Sequence, residues 1–423
     1  MRSLLIGIMV VLINAVSYAA IPDINGFVET AGGIRLSGND HGVRHQDYTL
    51  FETRLQLKKR HFFDQGYLGE HGGMMDVKLE GLLDGYFGWK TNVTARELNF
   101  GISPIPQMDL KLGRQVLTWG TGDYLFVNDM FPKDYISFFA GRDDEYLKKP
   151  SDAVRSLFYF DAVNVDLVFI PFAEQNTTPE GDRLSFYDSF QGGLAGEDSD
   201  RHLIEPPHQL SNSEVALRLF RSLGSYETAA YFFHGFWKNP NSYKDEINRQ
   251  LFYPRVNVYG ASIRGPWMGG IANAEAGYYH SQEDSDGNNR LIANSMAKIM
   301  TGYSKDLGSD LQVGVQYLVE RTLDYDAYAS SLLSQDLSFD EYRHLITQRV
   351  TKLFRNQTVE CSLFNFYSPS DQDGYLRASI SYDWADQWNV TTGINIPWGD
   401  DEYTEFGQMQ DNKNAYVRVR YSF

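Results

Sequence analysis

The chain has 423 residues, a formal net charge of −17 at pH 7 and one cysteine, Cys361, which cannot form a disulfide within the chain. The strong negative charge argues against nucleic acid as a partner. Aromatic residues reach 14% of the chain while hydrophobic residues make up only 42%, which argues against a helical membrane protein and is typical of strands that meet lipid on one face and water on the other.

The first predicted element is a cleavable export signal over residues 1–19. A short positive region precedes an apolar stretch over 4–16, and Ser17 and Ala19 place small residues at the −3 and −1 positions of a cleavage site. The signal is too short to be a permanent membrane helix, and no later segment has the ~20 consecutive apolar residues that a membrane helix needs. We therefore expect an exported mature chain over residues 20–423 that folds as one domain.

Apolar and polar residues alternate with a period of two along the rest of the chain, which predicts β-strands. The alternation is clear over 310–321, where Leu311, Val313 and Val315 are separated by Gln312 and Gly314. Each segment is close to the ~9–11 residues of a tilted membrane strand. The predicted strands are 27–36, 49–59, 74–86, 92–102, 108–119, 153–161, 163–171, 213–222, 226–237, 255–264, 270–281, 292–304, 310–321, 347–355, 358–367, 374–384, 387–397 and 414–423. Their number is eighteen, or sixteen if the weak segments such as 255–264 and 292–304 are not strands.

The connections between these strands alternate in length. Most connections after even-numbered strands are tight turns, whereas long loops follow odd-numbered strands at 120–152, 172–212, 238–254, 322–346 and 398–413. The exception is 60–73, a glycine-rich loop in a position where a short turn is expected. Outer-membrane barrels have short periplasmic turns and long extracellular loops. We therefore expect an all-β fold, a transmembrane antiparallel up-and-down β-barrel over residues 20–423.

The stretch from 113 to 155 is the most distinctive part of the sequence. It contains Gly-Arg-Gln at 113–115, Trp-Gly at 119–120, Asn-Asp-x-Phe-Pro-x-Asp at 128–134 and Pro-Ser-Asp-Ala-x-Arg at 150–155. This pattern resembles uncharacterised proteobacterial outer-membrane proteins related to the alginate-export porins, and the resemblance covers residues 110–190. It implies a porin-like barrel of eighteen strands with a cationic pore, although the acidic character of this chain argues against export of a polyanion.

The loop at 120–152 is too apolar to be only a solvated excursion, since residues such as Phe126, Phe131 and Phe138 need burial. A barrel of sixteen or more strands leaves an aqueous channel that its own side chains cannot fill, so we expect this loop to fold inward and narrow the pore. Charges at such a constriction select solutes by sign. The predicted constriction and substrate-path residues are Arg114, Asp129, Lys133, Asp134, Arg142, Asp143, Asp144, Lys148, Lys149 and Arg155. The alternative is that charges such as Arg142, Asp143, Asp144 and Arg155 only form ion pairs that fix the loop on the barrel wall.

Catalytic and metal-binding motifs do not occur in the sequence. It has no Gly-x-Ser-x-Gly elbow, no His-Glu-x-x-His, no paired cysteines and no Cys-x-x-Cys-His, so we predict no catalytic residue, no metal site and no cofactor. His234 and His280 lie near strand ends, where they could meet a serine, but a place in an interface girdle is favoured. The segment 284–289 is rich in oxygen ligands but lacks the distant bidentate Glu of a calcium loop, which favours a turn.

The last predicted strand ends on an aromatic residue. Ala415, Val417, Val419, Tyr421 and Phe423 share its apolar face. This ending resembles the closing strand of bacterial outer-membrane β-barrels, whose assembly machinery reads it. We therefore expect that machinery to be a partner through Phe423.

Together these features predict a channel in the outer membrane of a Gram-negative cell, not an enzyme. It would contact outer-membrane lipid and pass small polar or anionic solutes through an aqueous lumen narrowed by a loop. Two alternatives stay open. The barrel could sheath a periplasmic or surface cytochrome in an electron-transfer complex, or serve an export complex. It could also be an outer-membrane hydrolase.

Overall fold

The computed structural model describes residues 24–38, 46–63, 72–334 and 336–423. The predicted signal at 1–19 and most of the glycine-rich loop at 60–73 therefore lie outside the described residues. Within the described ranges, no helix has the length and apolar character to cross a membrane.

The chain folds into a closed barrel of eighteen antiparallel strands. We number the barrel strands β1 Asn25–Arg35, β2 Tyr48–Phe63, β3 Gly73–Asp84, β4 Lys90–Ile105, β5 Met108–Val116, β6 Pro150–Phe158, β7 Asn164–Ile170, β8 Glu214–Leu223, β9 Tyr226–Phe236, β10 Arg255–Trp267, β11 Gly270–Ser281, β12 Met296–Asp306, β13 Leu311–Thr322, β14 Tyr342–Phe354, β15 Val359–Ser368, β16 Asp373–Ala385, β17 Trp388–Gly399 and β18 Asn414–Ser422. All eighteen predicted segments are strands, including the two weak ones, so the predicted eighteen-stranded fold is confirmed.

Every strand pairs with its neighbours in the chain, and pairing of β1 with β18 closes the barrel. In this last pair Thr30 lies opposite Val419, and Arg35 lies opposite Asn414. Closure leaves no unpaired edge in the sheet. An unpaired backbone group in a lipid environment costs several kcal/mol, so closure is the condition that allows strands to cross a membrane.

The two ends of the barrel differ in the length of their connections. At one end, which we call the tight-turn end, pairs such as 106–107, 224–225, 268–269 and 386–387 join successive strands. Met268 and Gly269 both have positive φ, as the type I′ turn of a two-residue hairpin requires. The opposite, long-loop end carries connections such as 117–149, 171–213, 237–254 and 400–413. The alternation of turn lengths predicted from the sequence is therefore present.

Short helices and two small sheets form within the connections of the long-loop end. They are helix α1 Tyr135–Ala140, helix α2 Tyr325–Ser331, the 3-10 helices Asp144–Leu147, Leu210–Asn212 and Gly407–Asn412, a two-stranded sheet of Phe186–Asp188 and Gly193–Ala195, and a three-stranded sheet of His202–Ile204, Gln250–Phe252 and Ser242–Asp245.

Side chains alternate between the two faces of the barrel wall. On β18 the outward Val417 is 46% exposed, while Arg418 on the inward face reaches a loop inside the barrel. The outward face is apolar elsewhere too, with exposed Ile299, Val315 and Ile394. The barrel wall therefore has an apolar outward face, and charged residues lie on its inward face.

Candidate functional site: a strap across the lumen

Residues 117–149, which we call the strap, connect β5 to β6 and pack inside the barrel. Trp119, Met130 and Phe131 join a buried cluster with inward side chains of the wall such as Tyr231 and Val256. A second cluster holds Leu125, Val127, Phe138, Phe139 and Leu147 against Met300, Leu318, Leu345, Phe364, Phe366 and Tyr375. The apolar residues that required burial are thus buried against the wall of the lumen.

The fold of the strap is fixed locally by helix α1. The Asp134 side chain accepts a hydrogen bond from the Ser137 backbone N–H (2.9 Å), which is a typical N-cap. Gly141 ends the helix with φ of 89° in the left-handed region, where glycine is favoured. Between these two caps, the buried face of α1, which includes Phe138 and Phe139, packs against the wall.

One side of the strap is fixed by Glu275 on β11. Its carboxylate accepts hydrogen bonds from the backbone N–H groups of Thr121 and Gly122 and from the Asn128 side chain (2.8 Å to Nδ2). A carboxylate that accepts several N–H groups forms charge-assisted bonds, which are stronger than neutral ones. This single inward glutamate therefore holds the start of the strap against β11.

Three acidic residues of the strap face four inward arginines, which we call the arginine row: Arg349 on β14, Arg377 on β16, and Arg418 and Arg420 on β18. Asp123 lies 3.4 Å from Arg349 Nη1, and Asp144 lies 2.7 Å from Arg377 Nη2. Asp143 contacts both Arg418 (3.4 Å) and Arg420 (2.9 Å). β14, β16 and β18 alternate with β15 and β17 around the barrel, so the row lies on one side of the lumen.

The opposite flank of the strap contacts β2, β3 and β4. Arg142 donates to the Glu52 carboxylate at 2.7 Å, and Glu145 pairs with Lys78 at 3.0 Å. Arg96 donates to the backbone carbonyl of Lys148 (2.7 Å). Because the strap contacts β2 to β4 on one flank and strands such as β9, β11 and β18 on the other, it spans the lumen and does not lie along a single strand.

Charges inside the strap are tuned by burial and by their partners. Burial opposes ionisation of Asp143, but Arg418 and Arg420 outweigh it and hold the pKa of that carboxyl below its ordinary value. Burial also opposes ionisation of Glu145, and Lys78 outweighs it, so the pKa of Glu145 is lowered as well. Burial lowers the pKa of Lys133, and the attraction of Asp129 only partly offsets this effect.

The ten predicted constriction residues fall into three groups. Arg142, Asp143 and Asp144 contact charged residues of the wall. Five others make contacts that hold the strap itself or a neighbouring loop. Asp129 pairs with Lys133 (3.0 Å), Asp134 caps α1, Lys148 donates to Thr118 Oγ1 (2.8 Å), and Lys149 donates to the Gln175 carbonyl (2.8 Å).

The remaining two predicted residues lie on the flanking strands. Arg155 pairs with Asp166 on β7 at 2.7 Å. Arg114 pairs with Asp152 at 3.2 Å and lies across from it in the strand pairing, on the same face as the exposed Leu112 and Val154. Arg114 is therefore on the outward face and is not brought together with the others.

Several wall residues that the strap contacts were not predicted from the sequence. Arg349, Lys78 and Arg96 belong to this group. A signal was available for Arg349, because it alternates with Val350 on β14 and so shares the inward face with Thr347. The partners of such residues depend on the path of the strap, which alternation does not give.

The two histidines considered for catalysis are not paired with a serine in any described hydrogen bond. His234 Nδ1 lies 2.8 Å from Asn257 Oδ1, and His280 stacks on Tyr278 with ring centroids 6.1 Å apart. Both side chains are on the outward face, like the exposed Tyr259 and Tyr278. In the segment 284–289, Asp284 accepts the backbone N–H groups of Asn288 and Asn289 at 3.2 and 3.0 Å, which closes a turn.

No protein-family model matches the chain, and no curated protein sequence matches it. Solved structures do. OccK5 (OpdH) of Pseudomonas aeruginosa superimposes with a TM-score of 0.55 at 10% identity, covering 95% of this chain and 97% of its own. OccAB3 of Acinetobacter baumannii superimposes with a TM-score of 0.57 at 10% identity, covering 95% of this chain and 98% of its own. OccK11 (OpdR) of Pseudomonas aeruginosa gives 0.53 at 7% identity, with 95% and 96% covered.

The chain has a porin-like fold. At identities of 7–10% the likeness concerns the architecture alone. It extends over nearly the whole length of each partner, so the barrel is shared as a unit. The resemblance to the alginate-export group stays a prediction.

Proposed function

We propose that this protein is an outer-membrane channel that passes small polar or anionic solutes through a lumen narrowed by the strap. The observation that carries the proposal is the combination of a closed barrel, an apolar outward face and a strap whose acidic groups meet inward arginines. A barrel with eighteen strands is wide enough to keep an aqueous interior. The predicted export signal and membrane location are part of the same proposal.

Solute selection would occur beside the arginine row. Arg377 and Arg418 present their guanidinium groups on the inward face beside the strap. Charged groups around a narrow aqueous gap favour ions of the opposite sign. The strap carboxylates neutralise part of the row, so the path is mixed in sign, which suits small polar solutes and small anions better than a polyanion.

The strap both narrows the lumen and is fixed to its wall. Asp143 and Asp144 form ion pairs with the wall, as the alternative interpretation expected. The same pairs hold the strap across the lumen, so the two interpretations describe one arrangement. We infer that the ion pairs maintain the narrow passage.

The two alternative functions receive less support. A cytochrome sheath needs free space inside the barrel, and the strap clusters with Phe131 and Phe139 occupy the lumen. A hydrolase built on His234 or His280 would need a nucleophile beside an outward histidine, where the described partners are Asn257 and Tyr278. Contacts with lipid, and with the assembly machinery through Phe423, remain parts of the proposal.

The test is a strap deletion in planar lipid bilayers. Val116 and Pro150 are paired in the sheet, so removing 119–147 leaves a four-residue hairpin loop between β5 and β6. We expect steady single-channel conductance from the full chain and a several-fold increase after the deletion, because the lumen widens.

A matched control removes the exposed helix Tyr325–Ser331, which has no buried residue; its conductance should equal that of the full chain. Silence of the full chain in the bilayer would refute the channel. Equal conductance with and without the strap would refute its role as a constriction.

A further inference from the structure

We propose that a cavity between the strap and the tight-turn end of the barrel is a binding site for a small oxyanion. This inference names a ligand class for the path described above and rests on the proposed channel function only for its role in transport. The cavity has a volume of about 60 Å³ and is lined by Asp123, Arg264, Asn273, Gln316 and Arg349, with Gly314 beside them. The sequence predicted Asp123 as a charge lining the constriction, whereas Arg264, Asn273, Gln316 and Arg349 were not predicted as site residues.

The cavity lies in the lumen. Thr121 and Asp123 of the strap form one side of it, and residues of the five consecutive strands β10 to β14 form the other. The Asn273 side chain donates to the carbonyl of Thr121 at 3.0 Å, and Gln316 accepts the backbone N–H of Asp123 at 3.2 Å. These bonds hold the strap in place above the cavity.

The charge of the cavity is positive. Arg264 and Arg349 contribute two positive charges and Asp123 one negative charge, which leaves one net positive charge. Glu227 lies opposite Arg264 in the strand pairing, but Arg264 forms no ion pair within 4 Å among the described residues. A net positive charge beside amide and hydroxyl groups matches a small oxyanion.

Arg349 supplies the second guanidinium group of the cavity lining, beside Arg264. Its Nη1 lies 3.4 Å from Asp123 Oδ2 and its Nη2 donates to Gln312 at 3.1 Å. A guanidinium bonds carboxylate and phosphate oxygens with particular strength, so Arg264 and Arg349 are the groups of the lining that an oxyanion would contact.

The size of the cavity limits the ligand. A buried water needs about 10–15 Å³ of such space, so the cavity holds about four to six water-sized groups, which is the size of acetate, phosphate or sulfate. Gly314 keeps this space open. A Cβ there would approach Ser304 Cβ at 3.7 Å and would meet no shorter contact, so a side chain at this position can be accommodated and would fill the cavity.

The test uses detergent-solubilised full chain and NMR saturation transfer to the methyl group of acetate. We expect transfer from the wild type, and displacement of acetate by phosphate or sulfate but not by chloride at equal ionic strength. Displacement by neither phosphate nor sulfate, with transfer present, supports a site restricted to carboxylates. Absence of acetate transfer, together with no broadening of the phosphate ³¹P line, would overturn the site.

Four variants locate the binding. Arg264→Gln, at an exposed residue, should weaken acetate binding about tenfold, because loss of one charged hydrogen bond has an effect of this size. Gly314→Val should abolish binding without changing any charge, and Asp123→Asn should strengthen it. Arg218→Gln removes an inward arginine that stacks on Phe220, away from the cavity, and is the matched control.

Acetate transfer that is unchanged in both Arg264→Gln and Gly314→Val would overturn the assignment to this cavity. The outcome is independent of the bilayer experiment. A chain that binds acetate here but never conducts would keep the site and refute the channel, whereas a conducting chain without acetate binding would do the opposite.

Discussion

Asp143 shows how a single side chain can fix the strap and set the charge of the path. It contacts two arginines of β18 at 3.4 and 2.9 Å, and its side chain also accepts the backbone N–H of Glu145 at 3.1 Å. Its pKa lies below the ordinary value because the two arginines outweigh the effect of burial. At neutral pH the carboxylate therefore neutralises part of the arginine row.

We predict that anion selectivity rises only at acid pH. Because the pKa of Asp143 in the folded protein lies below the ordinary value of about 3.9 for Asp, this carboxylate stays ionised and paired with its arginines at neutral and mildly acid pH. The ion pair stabilises the fold above the unfolded-state pKa and is lost as pH falls through the lower folded-state pKa, which leaves the arginines without their negative partner. Reversal potentials in a salt gradient should therefore be constant from pH 7 to about pH 5, and should shift toward anions below about pH 4.

The control for this prediction is Asp143→Asn combined with Asp144→Asn. It should show the anion-selective reversal potential already at pH 7, since two negative charges beside the arginine row are absent. A double variant that keeps wild-type selectivity at pH 7 would contradict the proposed role of these carboxylates.

Side-chain direction could be predicted from the sequence better than side-chain partners. Alternation correctly places Arg377 and Arg418 on the inward face, because their strands are regular. The same rule places Arg114 with the outward Leu112, since the two are separated by one residue. Arg114 was predicted as a pore residue from the motif that contains it, and not from this alternation.

At the scale of elements, the strap explains where alternation fails. The predicted strand 347–355 begins at Tyr342 in the structure. Leu345 faces inward and is buried against the strap, while His344 faces outward and stacks on Tyr317. Where the strap covers the wall, inward positions become apolar, so the polar-in pattern is inverted and the sequence signal weakens. Met300 is also buried in the cluster that holds the strap, and it weakens the alternation of segment 292–304 in the same way.

The end of helix α1 gives a prediction for the strap as an element. Gly141 has φ of 89°, and a Cβ there would clash with the Tyr416 ring. Gly141→Ala should therefore add a steric cost of about 1–3 kcal/mol to the backbone cost of about 1–2 kcal/mol for a left-handed residue. The urea midpoint of unfolding in detergent, followed by tryptophan fluorescence, measures the sum.

Gly192→Ala separates the two costs. Gly192 has φ of 70°, but a Cβ there would meet no atom within 4 Å, so only the backbone cost applies. Equal destabilisation by the two substitutions would mean that the strap does not press against β18 at this point.

At the scale of the whole molecule, loop lengths and the terminal strand predicted the architecture because a closed barrel repeats one simple rule eighteen times. The path of the strap could not be predicted in the same way. It depends on contacts such as Glu275 with Thr121, between residues more than 150 positions apart, and a single sequence holds no local signal for such a pair. Composition indicated that the loop is buried, and the structure adds which strands it touches.

The orientation of the apolar face leads to the last prediction. Val417 lies at the middle of β18 and is 46% exposed on the outward face. In a membrane-spanning barrel, arginine at the bilayer midplane costs about 2–4 kcal/mol, and the cost falls to about 0–1 kcal/mol near the interface. Val417→Arg should therefore lower the free energy of unfolding from lipid vesicles by the larger amount. Ile271→Arg, one residue from the start of β11 at the tight-turn end, should lower it by the smaller amount. On a barrel surrounded by water, both substitutions would stay within about 0.5 kcal/mol of the wild type, and that result would contradict a lipid-facing wall.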